Sequence, residues 1–255
     1  MKIAVAQSKP IRGNIISNIE NHQPLIRLAV AHGAGMIIFP ELSITGYEPE
    51  LAKELATDIN DTRLDDFQKI SDRGEITIGI GMPLKSETGT LISMIIFQPH
   101  LPRQVYAKQH LHQDEEPYFV NGQEQLYLVK ENIKIAPAIC YEISVPEHSA
   151  HAHASGAGIY IASAAKSAEG VEKATKTLSD IAKQYSMTVL LSNCIGHCDN
   201  FEGGGQTSAW NTIMSHIKIR LCHRITNPPD LRVRHHLLHK LCSKLRFCNI
   251  MSTVI

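Results

Sequence analysis

The sequence predicts an α/β protein. Short β-like runs alternate with helix-patterned stretches from the first residues to about residue 211. Such alternation puts helices on the faces of a sheet. The composition can fill the interior this requires, since 43% of the 255 residues are hydrophobic and 20% are charged. That balance excludes a chain disordered throughout, and the length suits one large domain or at most two small ones. No repeat, linker or low-complexity tract interrupts residues 1–211.

Each element follows from local pattern. Ile3 to Gln7 reads as a strand. Asn14 to His32 reads as a helix because Ile15, Ile19, Ile26 and Val30 fall on one stripe, and Gly33 and Gly35 end it. Met36 to Phe39 is a short buried-strand run. Pro49 to Ala56 and Thr62 to Ile70 are helical. Ile76 to Met82 and Leu91 to Gln98 are strands around the turn Ser86-Glu87-Thr88-Gly89. Gln125 to Val129 and Asn132 to Ile139 make another strand pair. A helix over Pro146 to Ala154, a strand Ile159 to Ser163, a long helix Gly170 to Tyr185 and a strand Thr188 to Asn193 follow.

Lys plus Arg and Asp plus Glu number 25 each, so net charge gives no argument for nucleic-acid or membrane binding. The balance hides an asymmetry. Residues 212–255 hold 8 Lys/Arg against 1 Asp, whereas residues 1–211 hold 17 against 24 Asp/Glu. The chain therefore divides into a body, 1–211, and an atypical basic tail, 212–255. Six cysteines are too sparse for a disulfide framework. The longest apolar runs, such as Leu91 to Phe97, fall far short of a membrane span, and Met1 to Gln7 is too short for a signal peptide. The expected setting is soluble, reducing and cytoplasmic.

Three sites place a reactive side chain at the end of an apolar strand. Glu41, in Phe39-Pro40-Glu41-Leu42, is either a desolvated base or an ordinary surface carboxylate in a turn. Lys108, in Tyr106-Ala107-Lys108-Gln109-His110-Leu111, is either an oxyanion donor that lowers a neighbouring thiol pKa or a solvated lysine. Cys140, in Ile139-Cys140-Tyr141-Glu142, sits where a strand leads into a helix. That suits a nucleophile backed by helix N-terminal amides, or simply a small buried hydrophobe.

Taken together and in this order, these motifs resemble the carbon–nitrogen hydrolase (nitrilase) superfamily. Ala6-Gln7, Ser192-Asn193-Cys194-Ile195-Gly196 and Gly205-Gln206-Thr207-Ser208-Ala209-Trp210 fit as well, and the resemblance runs from residue 1 to about 211. It implies a four-layer α-β-β-α sandwich with a Glu-Lys-Cys triad at Glu41, Lys108 and Cys140. A second active-site glutamate maps to Glu115, with Glu116 the poorer register. The backbone N–H of Tyr141 would join Lys108 in holding an oxyanion. No metal or organic cofactor is implied. The implied function is hydrolysis of a non-peptide C–N bond in a small linear amide or N-carbamoyl compound, through a Cys thioester; nitriles fit less well. The implied partners are that small molecule and, if the C-terminus permits, a second copy in a homodimer, with no nucleic acid and no membrane. The alternative is a nitrilase-like protein without activity, acting as a binding or interaction module. Ser144-Val145-Pro146 stands where many members have Arg-Phe-Pro, which bears on the substrate subgroup.

Other motifs take plainer readings. His148, His151 and His153 suit an exposed helix face better than a metal site. Cys194 and Cys198 form half of a zinc or redox motif, without a second half. Gly203-Gly204-Gly205 reads as a mobile loop beside the active site rather than a phosphate cradle. The tail, with five His and three Cys, could bind nucleic acid or metal, but reads best as non-homologous sequence from a frame shift. It is expected to add no closing strands.

Overall fold

Burial parity on the parallel strands decides how the layers stack. The structure, a computed structural model, describes residues 1–211 together with the strands Met214–Ile217 and Leu245–Asn249. In chain order the elements are β1 (Lys2–Ala6), α1 (Ile15–Ala31), β2 (Met36–Ile38), α2 (Ala52–Leu55), α3 (Asp65–Gly74), β3 (Thr77–Lys85), β4 (Thr90–Phe97) and β5 (Gln104–Ala107). Then come β6 (Leu128–Lys130), β7 (Ile133–Ile139), α4 (Pro146–Ala154), β8 (Ala157–Ala164), α5 (Ala168–Tyr185) and β9 (Thr188–Asn193). The last are β10 (Ile195–Cys198), β11 (Phe201–Gly204), β12 (Ser208–Asn211), β13 (Met214–Ile217) and β14 (Leu245–Asn249).

One sheet runs β14-β1-β2-β3-β4-β5 and the other β13-β12-β9-β8-β7-β6. Each contains three parallel strands, β1-β2-β3 and β7-β8-β9, flanked by antiparallel neighbours. Alternate side chains leave opposite faces of a strand. Accordingly Ile3, Val5, Met36 and Ile38 pack with Ile135, Ile139, Ile159 and Ile161 between the two sheets. Their neighbours Ala4, Ala6, Ile37 and Phe39 face Ile15, Ile19 and Ile26 of α1 and Phe67 of α3. Ala136, Ala138, Tyr160 and Ala162 face Ala152 of α4 and Val171 and Leu178 of α5. The result is the expected four layers, α-β-β-α, with the sheets in the middle.

Polar ties fix the sheets at one end. Ser163 Oγ donates to Phe39 O at 2.8 Å, and Ser192 Oγ donates to Ala6 O at 2.7 Å. Both join strand ends of opposite sheets, so the carboxyl ends of the two parallel sets share one edge. In open α/β sheets that edge is where ligands bind.

Three readings change. The hairpin β10–β11 carries no clean period in the sequence, whereas β5 ends directly before Lys108, where a strand end was expected. Gly203 and Gly204 lie in β11, paired with Gly196 and Ile195, and not in a loop. Tight packing demands glycine there: a Cβ on Gly204 would lie 2.6 Å from Ala168 N, and one on Gly203 would lie 2.9 Å from Cys194 Sγ. The tail was expected to supply no closing strands, yet β13 pairs antiparallel with β12 and β14 with β1. An open sheet edge offers backbone donors and acceptors that extended chain can satisfy without any side-chain period. The rest of the tail, including the metal, nucleic-acid and frame-shift readings, lies outside the described residues.

Candidate active site

The site assembles where loops leave the carboxyl ends of β2, β5, β7 and β8. The chain turns sharply after β2, with Leu42 in the left-handed region at φ 49°. It can do so because β3 carries Gly81 at the crossing; a Cβ there would come within 2.2 Å of Leu42 N. Ser43 Oγ accepts from Gly81 N–H at 3.2 Å and also meets His22 Nε2 at 3.0 Å. From α1, Asn18 holds the same loop by donating to Ile44 O at 2.9 Å. Glu41 is thereby held at 2% exposure.

Lys108, directly after β5, is fully buried. Its Nζ donates to Glu41 Oε1 at 2.8 Å and to Glu115 Oε1 and Oε2 at 2.7 and 2.8 Å. Glu115 is buried too. It accepts from Tyr47 OH at 2.9 Å and from His112 N–H at 2.8 Å. Glu116 is exposed, so of the two registers Glu115 is the one that points inward.

Cys140 opens a short 3-10 helix, Cys140–Ser144, with φ 47°. A non-glycine residue held there signals a turn imposed by its surroundings. The half-buried thiol lies near Ala165 O, and the Ala165 N–H donates to Glu41 Oε2 at 3.2 Å. The Tyr141 N–H falls in the first turn of this helix, where backbone donors lack intrahelical acceptors. Cys140, Tyr141, Glu115, Tyr47, Lys166 and Phe201 share the lining of a cleft of about 680 Å³.

The electrostatics depart from the sequence reading at the thiol. Burial pushes Cys140 up, the Glu41 charge adds to this, and the total reaches about 11 in spite of Lys166 and Lys108. The expectation of a low thiol pKa is thus corrected. A single 3-10 turn offers little dipole, and Lys108 is already claimed by two carboxylates. Burial also raises the Glu41 pKa, with Lys108 opposing the shift. For Lys108, burial alone would lower the pKa, but Glu41, Cys140 and Glu115 together hold it above its ordinary value.

A second buried carboxylate braces the site. Glu142 accepts from Gln109 N–H and Ile139 N–H, each at 2.6 Å, and from Tyr106 OH at 2.7 Å. It ties the residue after Lys108 to the residue before Cys140. His148 Nε2 meets Tyr106 OH at 2.9 Å and its Nδ1 meets Tyr160 OH at 2.8 Å. Because Tyr106 donates to Glu142, His148 must donate from Nε2 and accept at Nδ1, as a neutral ring. Burial lowers its pKa to about 4. The exposed-face reading therefore fails for His148, while His151 and His153 are exposed as expected. Cys194 and Cys198 are buried with sulfurs 3.3 Å apart. Among the described residues, no group of three or more His, Cys, Asp or Glu could hold a metal ion, and no helix is long and apolar enough to cross a membrane.

Sequence reading missed Glu142, Tyr47 and Lys166 as site residues. Only Glu142 carried a signal, standing two places after Cys140.

A family model described as carbon–nitrogen hydrolase matches residues 2–212. Glutamine-dependent NAD(+) synthetase of Thermotoga maritima is 26% identical over 216 residues, covering 80% of this chain and 37% of the relative. The synthetase of the same name from Acinetobacter baylyi is 28% identical over 211 residues, covering 79% and 39%. The chain thus spans less than two fifths of the length of these relatives. Among solved structures, an amidase from Nesterenkonia sp. superposes with a TM-score of 0.76 at 20% identity, covering 83% of this chain and 82% of that one. A Cys-to-Ala mutant of that amidase in complex with butyramide gives a TM-score of 0.76 at 19% identity, with 83% of each chain covered.

Proposed function

Because the chain belongs to the carbon–nitrogen hydrolase family, we propose that it hydrolyses the C–N bond of a small linear amide or N-carbamoyl compound through a thioester on Cys140. The observation that carries this reading is the convergence of Glu41 and Glu115 on Lys108 Nζ, with Glu115 lining the same cleft as Cys140.

The chemistry follows from the protonation states. With its pKa near 11 the thiol rests neutral, so it needs a base at the moment of attack. Glu41 takes the proton as the Sγ–C bond forms. Burial raises its pKa, which suits a group that must both accept and return a proton. The carbonyl oxygen becomes an oxyanion held by the Tyr141 N–H and Lys108. Lys108 must exchange a carboxylate contact to reach it, and Glu115 keeps the ammonium in place meanwhile. Glu41 then protonates the departing amine as the C–N bond breaks. Water, deprotonated by Glu41, opens the thioester and restores the thiol. Donors aimed at the oxyanion cost little reorganisation during reaction.

Two observations support an amide over a nitrile: the amidase likeness of the fold and the glutamine-dependent names of the curated relatives. The side-chain carboxamide of glutamine belongs to the proposed class. The test is ammonia release over a panel of linear amides, glutamine, N-carbamoyl compounds and nitriles, with Cys140→Ala alongside. Release from amides that the substitution abolishes is the expected outcome. Unchanged release by Cys140→Ala would remove Cys140 as nucleophile, and amide binding without turnover would favour the binding-module reading.

A further inference from the structure

Lys166 follows β8 and lines the same cleft as Cys140. Its backbone is clamped on both sides. Its N–H donates to Asn193 Oδ1 at 2.9 Å, and its carbonyl accepts from Asn193 Nδ2 at 3.1 Å and from Gly204 N–H at 2.8 Å. Asn193 is itself buried and tied by Nδ2 to Gly205 O at 2.8 Å. The root of the side chain is therefore fixed, while the residue stays half-exposed at the cleft wall. Among the described residues its ammonium has no carboxylate partner. Lys108 is the opposite case, with all its donors directed at Glu41 and Glu115.

The surroundings give this ammonium a task. Glu50, Asp114 and Asp199 also line the cleft, beside a Glu115 already paired with Lys108, so an anionic substrate meets mostly repulsion. Lys166, the one lysine or arginine lining the cleft among the described residues, reverses that repulsion at one place, and so sets which end of a charged amide points where. We propose that Lys166 is a specificity-determining residue that receives an anionic group, such as a carboxylate, carried by the substrate beyond its amide. This rests on the amidase reading given above. A role confined to holding the Cys140 thiolate fits less well, since the thiol stays raised to about 11 with Lys166 in reach.

The test must separate selection of an anion from activation of the thiol, and must not depend on turnover. Cys140 of the full chain is alkylated with iodoacetate and with iodoacetamide, and the rates are read from the modified peptide by mass spectrometry. Both reagents attack the same thiolate, so the ratio of their rates cancels any change in thiol pKa. In Lys166→Met the iodoacetate-to-iodoacetamide ratio should fall about tenfold, the scale of one nearby charge at partly screened range. Lys166→Arg should restore it, and about 1 M salt should narrow the gap. With substrates, kcat/KM for succinamate relative to butyramide should fall in Lys166→Met by a similar factor. Rates for both alkylating reagents that move together, with an unchanged ratio, would overturn the proposal. A ratio that falls in a protein turning over neither amide would keep the anion site and reject the amidase reading.

Discussion

Glu41 and Glu142 are both buried carboxylates beside the cleft, yet they are held differently. Glu142 takes short hydrogen bonds from two backbone N–H groups and from Tyr106 OH, and a longer one from His110 N–H, a donor set saturated by neutral partners. Glu41 takes one bond from an ammonium and one longer bond, 3.2 Å, from Ala165 N–H. It lies close enough to Cys140 for each to shift the other's pKa. A carboxylate with every lone pair engaged holds loops together. One with room for a proton can do acid–base work.

The largest expected effect comes from breaking the second kind. Glu41→Gln should lower kcat by about 10³, within the usual range for general acid–base loss, while leaving the fold intact. It should also lower the Cys140 pKa from about 11, because it removes a negative charge that raises it. The pH profile of iodoacetamide alkylation reads that shift. An unchanged profile would mean that Glu41 does not act on the thiol.

Breaking the first kind should show the reverse pattern. Glu142→Gln places an amide donor against partners that are themselves donors. It should cost about 2 kcal/mol of stability, measured by urea unfolding, and lower kcat less than Glu41→Gln does. A stability loss from Glu41→Gln that equals this one would erase the distinction between the two carboxylates.

The smallest effect is a pH dependence of the brace. His148 has a folded pKa of about 4 against an ordinary value of 6.5, so the unfolded chain binds more protons between those values. Its contribution to stability is complete above about pH 6.5 and is lost as pH falls toward 4. His22, lowered to about 3 by burial, acts with the same sign. Unfolding measured at pH 7.5 and at pH 5 should show the chain less stable at the lower pH. The drop should shrink in His148→Gln, and an undiminished drop would show that His148 is not its source.

The sequence by itself determined the α/β alternation, the strands Lys2–Ala6 and Thr188–Asn193 nearly residue for residue, and the helix Pro146–Ala154. Period and punctuation are local properties, so they survive without a partner. It also placed Glu41, Lys108 and Cys140 as candidates, because strand-end positions and short motifs lie contiguous in the chain, and the family resemblance added Glu115. What only the tertiary structure decided is what each side chain meets. The Cys140 pKa is raised first by burial against the core between the two sheets and then by a carboxylate 99 positions earlier in the chain. His148 is neutral because Tyr106 and Tyr160 close over it from different strands. No motif in the sequence marked Lys166; the Asn193 clamp and the shared cleft give it a role. Gly203 and Gly204 could be read as a strand only once Ala168 and Cys194 had been brought against them. Desolvation and Coulomb terms depend on distances through space, and the order of residues along a chain does not carry those distances.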